Sequence, residues 1–421
     1  MEYLIVAALA LTLVFLVRGS FPSETARPVL GVLLAAFAAR LFIHVFIVRS
    51  GSLDYGGDNF YYELSAMEIV TYWQSAGIQL VSSEVIPSIN TVATPCHIFA
   101  FVMYLCGGFA PMACTAVVAF IACGLCIVMY KFAQLVGADD RSAFRLLLLI
   151  AFIPGLLVHT SDMFKDGFNA FFVITCLWLA TSNMKRFDIR KILAMAPLIW
   201  ALWNVRPYMV IMCGLPLFFS IVSRKRMISV RVMALSVAAM MSFMLLYEQI
   251  LATGPAGTMQ RQLEKSQATN VRSELEQGGS GVVFTPDGAP WDDLPTKVIY
   301  TLLSPFPWMD GSPALQLGKI EALLVWYLLY CAVKGGRRLW QYDRKMLLFL
   351  LLFVVPSTIA YATTIANIGL IFRQRIPIVL ILSLLSAIGW AREPGMIKRS
   401  QPVDKRSHDE PSPANGTAGS G

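Results

Sequence analysis

Charge is scarce in this chain. Asp, Glu, Lys and Arg make up 14% of its 421 residues, against roughly 25% in a soluble domain, too few ions to coat a water-soluble globule. Histidine is scarcer still: His44, His97, His159 and His408 stand far apart and offer no metal-ligand spacing. Eight cysteines (Cys96, Cys106, Cys114, Cys123, Cys126, Cys176, Cys213 and Cys331) all fall in or beside apolar runs. Cys123 and Cys126 form a C-x-x-C, but inside such a run, where small buried hydrophobes are expected instead of a redox pair. The first apolar run, Leu4–Val17, has no basic region before it and no A-x-A-like site after it, and so reads as a retained helix. A formal charge of +8 supplies no basic domain for nucleic acid, because Lys and Arg occur in short clusters between apolar runs. No nucleic-acid partner is expected.

Hydrophobicity is what remains. The chain is 57% hydrophobic with a mean hydropathy of +0.63. Apolar segments recur at 4–17, 29–48, 95–110, 111–136, 145–159, 167–182, 192–204, 207–222, 232–253, 320–333, 346–366 and 376–391. The fold class expected is an all-α polytopic membrane protein of about 11–13 transmembrane or re-entrant helices. Residues 1–391 form one integral membrane domain with two larger outer loops, 49–94 and 254–319. The remainder, 392–421, is a polar tail rich in Pro, Gly and Ser that reads as disordered and cytoplasmic. The basic clusters "MKRFDIRK" (184–191), "RKRMISVR" (224–231) and "KGGRRLWQYDRK" (334–345) mark the cytoplasmic side.

That assignment places the ions that interrupt apolar sequence. Lys165 and Asp166, in "SDMFKDGFNAFFV", fall at the outer end of 167–182. Arg206, in "NVRPY", sits at an outer hairpin tip, and Arg373 and Arg375, in "FRQR", at another. One stretch resists: if 95–110 and 111–136 both cross, 145–159 must bend back without crossing, and its Pro154–Gly155 suits a re-entrant element. Arg40 and His44, spaced i, i+4, point into the bundle or snorkel outward.

The first outer loop is the most informative. In "SLDYGGDNFYYELSAMEIVTYW", Asp54 and Asp58 flank a Gly-Gly turn, and an amphipathic helix begins at Asn59. Phe60, Leu64, Met67 and Val70–Tyr72 supply its apolar face, and Tyr61–Tyr62 are expected at interface depth. Asp58 stands where an N-cap belongs, its purely structural use. A carboxylate facing several outward cations also suits chemistry on a lipid-linked phosphosugar. The acid can deprotonate an acceptor hydroxyl, while Arg grips phosphate oxygens in pairs and Lys adds a point charge. Asp58 is the candidate base, with Asp54 as alternate. Lys165, Asp166, Arg206, Arg373 and Arg375 are the candidate group at the carrier phosphate. Each also has a plainer use: snorkelling for Arg373 and Arg375, a hairpin tip for Arg206, a helix corner for Lys165 and Asp166. Glu248 could pair with any of the cations. In the second loop, "MQRQLEKSQATNVRSELEQ" reads as a polar helix, and Pro305–Trp308 as an interfacial element anchored by Trp308 and Tyr300. The loop is either an acceptor lid or a connector.

The motifs resemble those of the GT-C superfamily of membrane glycosyltransferases. "DYGGDNFYYELSA" is similar to its D-x-x-x-Y-x-x-x-A pattern at Asp58, Tyr62 and Ala66. The stretch from Pro154 to Asp166 is similar to the proline-then-polar corner of that superfamily. Pro305–Trp308 ("PFPW") and Arg373–Pro377 ("R-x-R-x-P") resemble elements of bacterial exopolysaccharide and O-antigen cluster membrane proteins. The resemblance implies a bacterial inner-membrane enzyme using a polyprenyl-phosphate or pyrophosphate sugar donor and a glycan acceptor at the outer face. A repeat-unit polymerase of the same pathway is the alternative, followed by a transporter or flippase of lipid-linked glycans. The chain departs from the superfamily by an additional helix before the first loop. It also lacks a second acidic pair other than Asp139–Asp140, which leaves a divalent cation, Mg²⁺ or Mn²⁺, an open requirement.

Overall fold

The computed structural model describes residues 1–51, 57–90, 92–222, 293–309, 313–364 and 368–391. Every regular element among them is helical: α1 (Glu2–Ser20), α2 (Ser23–Ile43), α3 (Asp58–Ala76), α4 (Ala93–Cys106) and α5 (Pro111–Val136). There follow α6 (Asp140–Phe152), α7 (Pro154–Val158), α8 (Asp166–Lys185), α9 (Ile189–Trp203) and α10 (Pro207–Val222). The last are α11 (Leu294–Leu303), α12 (Pro313–Tyr342), α13 (Arg344–Thr364), α14 (Ile368–Gln374) and α15 (Ile376–Trp390). A π-helical turn, His44–Val48, prolongs α2. The expected segment 232–253, the polar helix of the second loop, Asp54, Glu248 and the tail lie outside the described residues.

Among the described residues, five stretches are long and apolar enough to cross a membrane: Glu2–Ser20, Ser23–Val48, Pro111–Val136, Asp166–Lys185 and Arg344–Thr363. The chain is a multi-pass membrane protein. At ~1.5 Å per residue, α5 spans about 39 Å, more than the ~30 Å hydrocarbon core, and its only ion, Lys131, falls in its second half. There the Lys131 ammonium rests 4.4 Å from the Phe21 ring centroid.

The helices run between two ends. At the basic end, Tyr342 donates to the Val136 carbonyl at 3.2 Å, Lys185 donates to Leu135, and Asn183 donates to the Ser220 carbonyl at 3.1 Å. The clusters 184–191 and 334–345 therefore meet there. At the opposite end the Glu2 carboxylate accepts from the Met112 and Ala113 amides, at 2.6 and 3.1 Å, on the N-terminus of α5, where a helix dipole favours an anion. Toward the basic end, α12 and α15 approach so closely that a side chain on Gly335 would run into the Leu385 carbonyl, and one on Gly389 into Cys331.

The structure corrects the expected path of the chain. α4, not 145–159, is the segment that fails to cross. It starts beside the α9–α10 tip, where the Thr94 hydroxyl donates to Ala201 at 3.4 Å, and it ends at the Glu2-capped start of α5. It lies alongside α3 and runs the same way, with Cys96 near the Tyr62 carbonyl and Trp73 packed on Tyr104. With α4 removed from the crossings, α6 and α7 form one crossing, broken at Pro154. The break survives because other helices satisfy its backbone: Gly155 N–H donates to Glu321 of α12, and Arg40 of α2 donates to the Ala151 carbonyl at 3.2 Å. The two ions take the two halves of a lost helical rung.

Candidate functional site

Four chain segments meet at the end opposite the basic clusters: the start of α3, the α7–α8 corner, the α9–α10 tip and the end of α14. Asp166 is the first residue of α8, where the helix dipole favours a carboxylate. Arg206 precedes Pro207, which opens α10 with a fixed φ and no amide to lose. Arg373 lies in the last turn of α14.

Asp166 is the hub. One of its oxygens, Oδ1, accepts from Arg206 Nη2 at 2.5 Å. The other, Oδ2, accepts from Arg373 Nη2 at 2.9 Å and Nε at 3.2 Å. The remaining Arg373 nitrogen, Nη1, donates to Asp58 Oδ2 at 2.6 Å. Exposure rises along this chain, from 1% for the Asp166 side chain to 13% for Arg373 and 45% for Asp58. Arg206 also donates to the Tyr208 hydroxyl at 3.2 Å, which donates to Gln374 Oε1 at 3.1 Å. Buried guanidinium groups demand such partners, because an unpaired buried charge is strongly destabilising.

Lys165 lies beside this chain, its ammonium 5.8 Å from the Tyr62 ring centroid. It makes no hydrogen bond or ion pair with any described residue. Burial, and after it the Arg206 charge, lower its pKa to about 8. His159 packs edge-on against Phe164 and Phe372. Burial and then the Arg373 charge push its pKa down to about 3, so it stays neutral. Three cations against two carboxylates leave the cluster one net positive charge.

Of the residues expected at the site, Asp58, Asp166, Arg206 and Arg373 come together, and Lys165 adjoins them. Arg375 does not join them. It is buried, and its Nη1 donates to the carbonyls of Thr301, Leu302 and Ser304 at the end of α11. Two steps along a helix turn a side chain about 200°, which separates it from Arg373. Asp58 does not act as an N-cap: Gly57 caps α3 with a left-handed φ of 73°, and no side-chain cap bond forms. The expected apolar face of α3 divides: Phe60 and Leu64 are exposed and Val70 is buried, and Tyr62, Ala66, Ile69 and Trp73 are buried with it. Apolar residues line both sides of α3, so composition did not distinguish lipid from protein. Asp140 lies at the basic end, accepting from Gln134 at 2.6 Å. Among the described residues no three His, Cys, Asp or Glu side chains are placed to hold a metal. The site's two carboxylates have Arg373 between them, an arrangement ill suited to a divalent cation.

One network beside the site went unread in the sequence. Asp162 Oδ1 accepts from Arg49 at 2.9 Å, and Oδ2 from Asn59 at 2.8 Å. Arg49 also donates to Glu63 at 2.7 Å, and His44 lies 3.5 Å from Asp162 Oδ1. Burial alone would raise the Asp162 pKa, but the His44 hydrogen bond and the Arg49 charge outweigh it and hold the carboxyl below its usual range. The available signal was an acid four residues before Asp166 in the same polar corner. Comparison with protein-family models, curated proteins and solved structures gave no match.

Proposed function

We propose that the chain is a membrane glycosyltransferase of a bacterial inner membrane, acting at the non-cytoplasmic face in exopolysaccharide or other cell-surface glycan synthesis. Its donor is a sugar on polyprenyl phosphate, and its acceptor a glycan hydroxyl. The observation that carries this reading is the graded ionic chain, with a half-exposed Asp58 backed by Arg373 and a buried Asp166–Arg206 pair. The basic clusters at the other end of the bundle support the orientation, since Lys and Arg accumulate on the cytoplasmic side. Exposed Phe60, Tyr61 and Leu64, on the same helix as Asp58, offer apolar surface to a lipid tail.

In this reading Asp58 accepts the proton of the attacking hydroxyl. Arg373 and Lys165 stabilise the charge that collects on the departing carrier phosphate. Arg206 holds Asp166, and Asp166 aims Arg373. Neutral His159, with Phe164 and Phe372, gives the ions an apolar wall. The test is the lipid-linked pool of a deletion strain, extracted and resolved by mass. Unconsumed polyprenyl-linked sugar is expected to accumulate, to be cleared by the wild-type gene and to persist with Asp58→Asn. A pool identical to the parent strain's would sink the proposal, and a pool of complete single repeat units would assign polymerisation instead.

A further inference from the structure

The two edges of the Arg373 guanidinium are used differently. Its Nε–Nη2 edge clasps Asp166 Oδ2 inside the protein, and Arg206 clamps the same carboxylate from the other side. Its Nη1 points outward to Asp58, the most exposed member of the cluster. An ion pair with one partner half exposed to water is weak enough to exchange. The backbone under Asp58 is tied down: neighbouring Asn59 donates to Asp162 at 2.8 Å, and Glu63, about one turn on, accepts from Arg49 at 2.7 Å. A change of partner at Nη1 is therefore a side-chain event and does not require α3 to move.

We infer that Asp58 occupies the donor-phosphate position in the resting protein, its carboxylate standing on Arg373 Nη1 until a phosphate displaces it. The inference rests on the function proposed above and deepens it. One Nη1–H···O bond to Asp58 is exchanged for one to a phosphate oxygen, and no proton moves in that step. Released from the guanidinium, the carboxylate becomes a stronger base and accepts the acceptor hydroxyl's proton afterwards. Lys165, free of hydrogen bonds to the described residues, meets the incoming phosphate as the second cation. The site is thereby ordered, donor first, because the base is masked while the donor is absent.

The experiment measures binding of geranylgeranyl phosphate to the full-length protein in lipid nanodiscs, with inorganic phosphate in a parallel series. Asp58→Asn removes the competing charge, so this variant is expected to bind the lipid phosphate roughly fivefold more tightly than wild type while losing transfer. Arg373→Gln is expected to bind at least tenfold more weakly. Adding Asp58→Asn to Arg373→Gln is expected to give no gain. Asp58→Ser serves as a second variant if the first does not fold. Affinity unchanged or weakened in Asp58→Asn, or an equal gain in both backgrounds, would overturn the masking while leaving the proposed function standing. If no protein in the series binds the lipid phosphate, the proposed function itself fails. A gain of the same size with inorganic phosphate supports masking and shows that the phosphate alone is exchanged.

Discussion

Arg373 and Arg375 stand two residues apart at the same end of the bundle, in opposite surroundings. Arg373 is gripped by two carboxylates, one buried and one half exposed. Arg375 is enclosed, spending its Nη1 on three backbone carbonyls at the end of α11. Arg40 resembles Arg375: fully buried, it donates to the Ala36 and Ala151 carbonyls and to Thr160. A guanidinium on carbonyls in a closed setting is a clamp, because its partners are backbone and cannot leave. A guanidinium between carboxylates, one of them facing solvent, can exchange a partner for another anion. What separates a structural arginine from a candidate working one is thus the kind of partner and its access to water, not local sequence.

The contrast can be broken in four ways. The largest effect is expected from Asp58→Asn, which should lower transfer by ~10²- to 10⁴-fold as a lost general base with the unfolding midpoint nearly unchanged. Retained transfer would return Asp58 to a structural role. Next, Asp166→Ala strands Arg206 and leaves Arg373 only its exposed partner, and should cost about 3–5 kcal/mol in unfolding of the detergent-solubilised protein. A far smaller loss would mean that the hub is not holding buried charge.

Third, the two arginines should separate stability from affinity. Arg375→Met should cost about 1–3 kcal/mol by leaving carbonyls unpaired, with the donor KM unchanged. Arg373→Gln should raise the donor KM about tenfold at a smaller stability cost, since Asp166 keeps Arg206. The reverse pattern would exchange their roles. The smallest effect concerns Lys165, whose pKa in the folded protein is lowered to about 8. A cation with a depressed pKa binds its proton more weakly folded than unfolded. Its contribution to stability therefore improves as pH rises from about 8 toward 10.5 and is least favourable below about 8. Donor affinity should run the other way, falling as pH rises through about 8, and Lys165→Met should abolish that step in a titration of binding against pH.

How legible each part was follows from these particulars. The long helices were readable because a run such as α5 has no other way to satisfy its backbone in lipid. The corner at Lys165–Asp166 was readable as a place, since ions inside apolar sequence must find a partner or an end. α4 was misjudged because a mostly apolar helix of 14 residues looks alike whether it crosses a bilayer or lies under α3. The α6–α7 break was misjudged because Pro154 predicts a bend, while Glu321 and Arg40, the groups that let the helix continue, are remote in sequence. Asp162 was overlooked because its partners, Arg49, Asn59 and His44, gather only when α2, α3 and the corner converge.

Composition and local order alone determined that the chain lives in a membrane, that its helices turn between two ends, and which few ions were worth watching. Those are consequences of solvation, which each segment meets by itself. Only the tertiary structure decided that Arg373 and not Arg375 meets Asp58, that Asp166 lies beneath both site arginines, and that α4 stays at one end. Those are consequences of helix phase and of contacts between segments as many as 315 residues apart, and charge pairing depends on ångström separations that no local stretch of sequence contains.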